Sequence, residues 1–388
     1  MKLSTLLYAA IFASTLGTMA FAQQKSTNSS EPQSASSVVA YVYVSSSPSG
    51  GSSQINGYSA DSTGRLTPIA GSPFPGSVQY MALNGKWLFG EDNYTNIDSF
   101  SIGSNGALQQ VSTINASQYN PYNSGGPGNL FLDHTGATLY DGDIYAYGTG
   151  DNAYQSFTID QSTGQLNVLA LGPNGGTLEG AQMSFTGSNV YAYSSGCYEG
   201  SGGIYGYRRN SDGSLSLLNI NPSIPAGPNG DNYCPYLAAA DTTNHVAIPL
   251  TPLNFVTQVG PPQLAVYTQD SSGNLTTTST SANMPKTQVT AVTDIWMSPS
   301  GKLLAVAGTT GLQVFHFNGS NPIKPYTGLL TKNEIDQVFW DNANHLYAIS
   351  NKAGKLYVFT VTPTSHSQAP GSPYTIQSLQ NLIVLPKT

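Results

Sequence analysis

The side chains best suited to proton transfer near neutral pH are the five histidines, His134, His245, His316, His345 and His366. His134, His245 and His345 fall in short polar turns between apolar runs. His316 follows a strand-like run and His366 lies in a polar connection, so structural or solvated roles are expected for all five. Carboxylates are the alternative. Glu91, Asp92, Asp141, Asp143, Asp151, Glu179, Glu199, Asp231 and Asp294 sit in or beside irregular polar stretches. Two carboxylates sharing a site could divide acid and base roles, or hold a hard cation. Glu91, Asp92, Asp143, Glu179 and Glu199 are the candidates for catalysis. "DGDIYAYGTGDN" opens with the D-x-D spacing that calcium favours but lacks a closing Glu. Turn capping is the simpler reading, and no cofactor is expected, calcium being the one cation the stretch would suit.

Tyrosine is the most distinctive side chain, with 24 copies. Several stand in the long Gly/Asn-rich stretches "NASQYNPYNSGGPG", "IYAYGTGDNAY", "SSGCYEGSGG" and "PAGPNGDNYCPY". A tyrosine in such a loop offers an apolar face for stacking on a sugar ring and a hydroxyl at its edge. Packing between strands is the competing role. Tyr119, Tyr122, Tyr145, Tyr198 and Tyr233, with Asn129 and Asp231, are the candidate ligand-binding residues. No G-x-S-x-G elbow, H-E-x-x-H pair, P-loop or dinucleotide-binding glycine pattern occurs.

The elements that must position these residues repeat. "YSADSTGRLTP", "FSIGSNGALQQ", "FTIDQSTGQLNV", "YRRNSDGSLSL" and "YTQDSSGNLTT" are five versions of one hairpin. "FHFNGSNPIKP" lacks a turn glycine in register, and "FTVTPTSHSQA" is recognisable mainly by position. Their leading aromatics are 42 to 60 residues apart, room for about four strands and their loops. A second hairpin precedes each, as in "NLFLDHTGATLYD" and "DIWMSPSGKLLAVAG". No helical period appears in the chain after the N-terminal segment. Seven short four-stranded sheets, each apolar on both faces, predict an all-β, seven-bladed β-propeller. The chain opens its first repeat with a second-strand run, "VVAYVYVSS", and ends on "LQNLIVLPKT". Leu379–Leu385 is therefore expected to pair beside Val38–Val44 and close the ring. One face then collects the loops between second and third strands and between blades. The carboxylates and loop tyrosines fall there, and the histidines fall opposite.

Charged residues make up only 9% of the chain, and the net charge is −7. Neither nucleic acid nor an anionic membrane is an expected partner, since both require Lys/Arg clusters. The one adjacent basic pair, Arg208-Arg209, reads as solvated strand residues. Residues 1–22 read as a signal peptide, with Lys2, an apolar run and Ala20-Phe21-Ala22 before the cleavage point. Residues 23–37 read as a disordered linker and 38–388 as one domain. A secreted or periplasmic, membrane-free monomer is expected. Cys197 and Cys234 then fit a disulfide, closing a loop of 37 residues and tying two long loops together.

"YSADSTGRLTPIAGSPF" and "SPSGKLLAVAG" resemble the seven-bladed lactonase family, which includes the 6-phosphogluconolactonase-like and YVTN-type propellers. The resemblance spans nearly the whole chain after residue 37. It implies the same fold and, in the enzymes, an Arg-His pair opening an inner strand and an Asn-Glu pair closing the next. In "GPGNLFLDHTGATLYDGDIY", Gly128 and Asn129 stand at the first pair and Asp143 and Ile144 at the second. Two functions follow. The first is binding of a small polar molecule, a carbohydrate or a protein without the family's catalytic set. The second is hydrolysis of a lactone or sugar derivative.

Overall fold

Most repeat units carry an aromatic on the third strand and a glycine in the turn after it, and the reason lies in how neighbouring sheets meet. The structure is a computed structural model and describes residues 37–92, 96–116, 129–142, 154–171, 183–198, 201–227 and 230–387. These residues form seven antiparallel sheets, each built on a path of four strands. The innermost strands are Leu379–Pro386, Tyr80–Leu83, Asn129–Leu132, Ser184–Phe185, Asn232–Pro235, Val292–Met297 and Gln337–Trp340, for blades one to seven. Ring closure follows the sequence expectation: Leu379–Pro386 pairs antiparallel with Val38–Ser46, with Val42 opposite Val384.

Apolar residues alternate along the strands so that both faces of a blade bury side chains against its neighbours. Leu139 and Phe157 of blade three pack with Trp87 and Phe89 of blade two. Tyr140, on the other face, joins Met183, Phe185 and Tyr207 of blade four. Turns between first and second strands, and between third and fourth, define one end of the ring, called here the turn face. The remaining connections define the loop face.

The turn face shows why the hairpin is repeated. Asp61 Oδ1 accepts the backbone N–H groups of Thr63 and Arg65, and Asp160 and Asp270 cap their turns in the same way. In blades one to six a turn glycine has positive φ and abuts the preceding blade. The Tyr43 hydroxyl donates to the Gly106 carbonyl at 2.8 Å, Tyr140 to Gly213 at 2.5 Å and Tyr193 to Gly273 at 2.8 Å. Three further junctions use a ring instead. Gly164 lies on Trp87, Gly64 on His345, and Gly319 on His245. Blade six, whose turn glycine the sequence places out of register, thus fills the same role with Gly319, at φ +56°.

A Cβ at Gly164 would stand 2.5 Å from the Trp87 ring, on a backbone at φ +75°. A Cβ at Gly50, at φ +77°, would meet nothing within 4 Å. G164A is therefore expected to lose about 2–3 kcal/mol, combining backbone strain with overpacking, and G50A about 1 kcal/mol from strain alone. Urea unfolding of the two variants checks this, and equal losses would remove the steric part of the argument.

Candidate functional site

The histidines lie where the sequence places them, on the turn face, but as parts of the framework. His245 and His345 open second strands. His345 is buried, and its Nδ1 lies 2.7 Å from Asp341 Oδ2, which also accepts the Tyr347 hydroxyl at 2.9 Å. His245 makes the same contact with Asp241 at 2.9 Å. Burial raises the Asp241 carboxyl, but hydrogen bonds from His245 and Thr243 outweigh it and leave the group below its ordinary value. Burial lowers His134 despite the opposing charge of Asp133. His316 and His366 flank Tyr326, with ring centroids 4.3 and 5.8 Å away. Arg209 departs from the solvated reading, because its guanidinium is paired with Asp133 of blade three.

The loop face carries a different chemistry. Asp92, Asp231, Glu334 and Asp336 lie near its surface, with Lys286, Lys332, Lys352 and Lys355. Glu91, Asp141 and Asp294 are buried beneath it. Among the described residues, no histidine or arginine stands at this end of the ring. Since all five histidines and all three arginines are described, the whole complement of imidazole and guanidinium lies on the turn face.

Asp294 sits on the inner strand of blade six. Its Oδ1 accepts the Ile295 N–H and its Oδ2 the Val338 N–H of blade seven, both at 2.8 Å. Burial pushes its carboxyl up to about 7, against the pull of those donors and of the Trp296 side chain. Tyr236, on the adjoining part of blade five, is 39% exposed. Its hydroxyl is raised by burial and then by the charge of Asp294, which marks the two as neighbours in one field. Trp296 packs against Phe339 of blade seven in a tilted arrangement, 4.5 Å between centroids. The same inner ring is stitched by side chains. Ser184 Oγ accepts the Ala240 N–H at 2.8 Å, and Gln337 Oε1 accepts the Leu382 N–H at 2.7 Å.

A second polar group lies between blades two and three. Glu91 ends its strand two residues beyond Phe89, and Ser99 is the cross-strand partner of Phe89. Asp141 lies two residues beyond Leu139, and Gln155 is its cross-strand partner. Phe89, Leu139 and Phe157 all belong to the apolar cluster between these blades. Strand alternation therefore turns Glu91 and Ser99 toward blade three, and Asp141 and Gln155 toward blade two. All four are at most 5% exposed.

Of the candidates named from sequence, Glu91 belongs to this buried group and Asp92 caps its own loop, accepting the Asn96 N–H at 2.7 Å. Asp231 lies at the loop face, half-buried. Tyr233 lies on the strand Asn232–Pro235, 4% exposed, with its hydroxyl bonded to Gln263. Asn129 opens the inner strand of blade three, and Tyr198 ends the second strand of blade four. Tyr119, Tyr122, Asp143, Tyr145, Glu179 and Glu199 lie outside the described residues. Cys197 and Cys234 form the expected disulfide, with Cα atoms 5.4 Å apart. Cys197 lies within the long strand Tyr191–Tyr198 rather than in a loop. Asp294 and Tyr236 carry no local motif. Asp294 is visible in the sequence only as one acid of the loop-face set.

No known family profile and no curated protein matches the chain by sequence. Solved structures do match by shape. A candidate 6-phosphogluconolactonase from Bacteroides uniformis superposes with TM-score 0.67 at 14% identity, over 90% of this chain and all of that one. Another, from Bacteroides fragilis, gives 0.64 at 14% identity, over 90% of this chain and 98% of its own. The periplasmic gluconolactonase of Pseudomonas aeruginosa gives 0.62 at 14% identity, over 89% and 99%. The fold is thus the seven-bladed, lactonase-like propeller that the hairpin motifs indicate.

Proposed function

We propose that the protein is an exported propeller that binds a small polar or carbohydrate-like ligand at its loop face without the catalytic set of the lactonases. The observation that carries this reading is the segregation of every histidine and arginine to the turn face. The loop face is left with carboxylates, tyrosines and four lysines. Such a surface suits hydroxyl-rich ligands through carboxylate acceptors and aromatic faces. Tyr236 is the exposed aromatic beside Asp294, and Asp231 lies at the same face. The disulfide fits an oxidising compartment, periplasmic or extracellular, as does the signal-like N-terminus.

Lactone hydrolysis is the second reading. It is favoured by the shared fold and by Asp294, whose carboxyl near 7 would suit a general acid or base. One assay separates the two. With glucono-1,5-lactone followed by acid release at pH 7, hydrolysis is expected at the buffer rate for the wild type and for D294N alike. Turnover well above buffer that is lost in D294N or E91Q would overturn the binding reading. The binding reading itself predicts that the same lactone, or a neutral disaccharide such as cellobiose, raises the thermal midpoint and that Y236A weakens that response at least tenfold.

A further inference from the structure

We infer that the hairpin tip on blade five is a carbohydrate subsite, with the Phe255 ring as its stacking platform and Asp231, Asn232 and Asn254 as its polar rim. The subsite presupposes the sugar binding proposed above and adds to it a place that no motif marks. The hairpin is where blade five departs from the repeat. Its second strand, His245–Asn254, runs on past Leu250, the last residue it pairs with the third strand. The chain then folds back on itself, with Leu253 opposite Gln258 and Asn254 opposite Thr257, so Phe255 and Val256 form a two-residue turn. As a connection between second and third strands, this turn lies at the loop face.

Two observations set the tip apart. Residues 254–259 are all exposed, Phe255 by 85%, Val256 by 66% and Val259 by 49%. Phe255 also stands at φ +55°, a conformation that glycine or asparagine adopts most readily at this turn position. A bulky aromatic there combines backbone strain with apolar surface left in water. Folding alone would be better served by a small polar residue, so the ring calls for something that covers it.

The size and surroundings of the tip decide what covers it. Phe255, Val256 and Val259 offer on the order of 300–400 Å², well under the roughly 800 Å² per partner of a stable protein interface. A bilayer holds peripheral segments by a wider apolar face and by Lys or Arg at its edge. Residues 242–269 contain no Lys, Arg, Asp or Glu, and the chain carries a net charge of −7. One flat ring does match the apolar face of one pyranose, and the groups around it match hydroxyls. Asn232 stands opposite Leu253 on the inner strand, and one step further brings Asp231 level with Asn254. Asn232 and Asn254 are exposed and Asp231 is half-buried, so two amides and a carboxylate border the ring. A convex tip covers only one face of a sugar. It therefore suits a chain of several units lying across the loop face, rather than a monosaccharide enclosed in a pocket.

Calorimetric titration of the full chain with cellohexaose tests this. F255N is expected to weaken binding about fivefold or more, and D231N about threefold. F255W keeps a flat ring and is expected to stay within about twofold of the wild type, whereas F255L keeps only apolar bulk and should lose as much as F255N. F255N is also expected to raise the sugar-free thermal midpoint by about 1–2 °C, because Asn tolerates the positive φ, so its loss of binding is not a loss of fold. Cellohexaose binding that Y236A weakens and F255N leaves intact would overturn the subsite and leave the reading at Tyr236 standing. Binding retained in F255L would overturn the stacking role. If neither cellobiose nor cellohexaose binds, the subsite and the sugar reading fall together.

Discussion

Raising the pH from 5 to 8 is expected to weaken the propeller by several kcal/mol, and D294N is expected to remove most of that loss. Asp294 is held at about 7 in the folded protein against 3.8 in an unfolded chain. Between those values the folded state keeps a proton that the unfolded state has released. The stabilisation is therefore complete below pH 4 and is lost as the pH climbs through 7. The full gap corresponds to about 4 kcal/mol. Asp336, which is also raised by burial and then by Glu334, pushes the same way, so the difference between wild type and D294N is the informative quantity. Urea midpoints at pH 5, 6, 7 and 8 measure it. Parallel curves for the two proteins would show that Asp294 is not the group responsible.

Loss of the disulfide is the second large effect. Cys197 and Cys234 close a loop of 37 residues that joins the second strand of blade four to the inner strand of blade five. Chain-entropy arguments assign such a loop about 4 kcal/mol. The C197A/C234A double variant should fall by that amount in urea unfolding, and added reductant should lower the wild type but not the variant. A variant that matches the oxidised wild type would mean the crosslink adds nothing to stability. G164A, by contrast, acts at the opposite end of the ring, more than a hundred residues from Asp294 in sequence. Its cost should add to that of D294N.

The fold was legible because its signals are local. Asp61 and Gly64 announce a turn within four residues, and Tyr58, Phe100 and Phe157 recur just before such turns. Even the closing strand could be read, since Leu379–Pro386 has no partner within its own repeat. The site was less legible for a physical reason. Which face a loop-edge acid takes depends on strand alternation and on the next blade, not on its own neighbours. Glu91 reads as a loop-edge carboxylate but is the last buried residue of a strand. Tyr233 reads as a loop aromatic but lies on an inner strand. Arg209 reads as solvated because its partner, Asp133, is 76 residues away.

Ring closure also fixes how the molecule would hang from any attachment. The strand Val38–Ser46 enters blade one opposite Asp61, and Leu379–Pro386 leaves it opposite Ala40, both at the turn face. A support coupled at Lys387, or a fusion partner joined just before Val38, therefore holds the ring from beneath. The loop face then points outward, clear of the tether. A handle at Lys387 or just before Val38 should therefore leave the loop face open to a ligand.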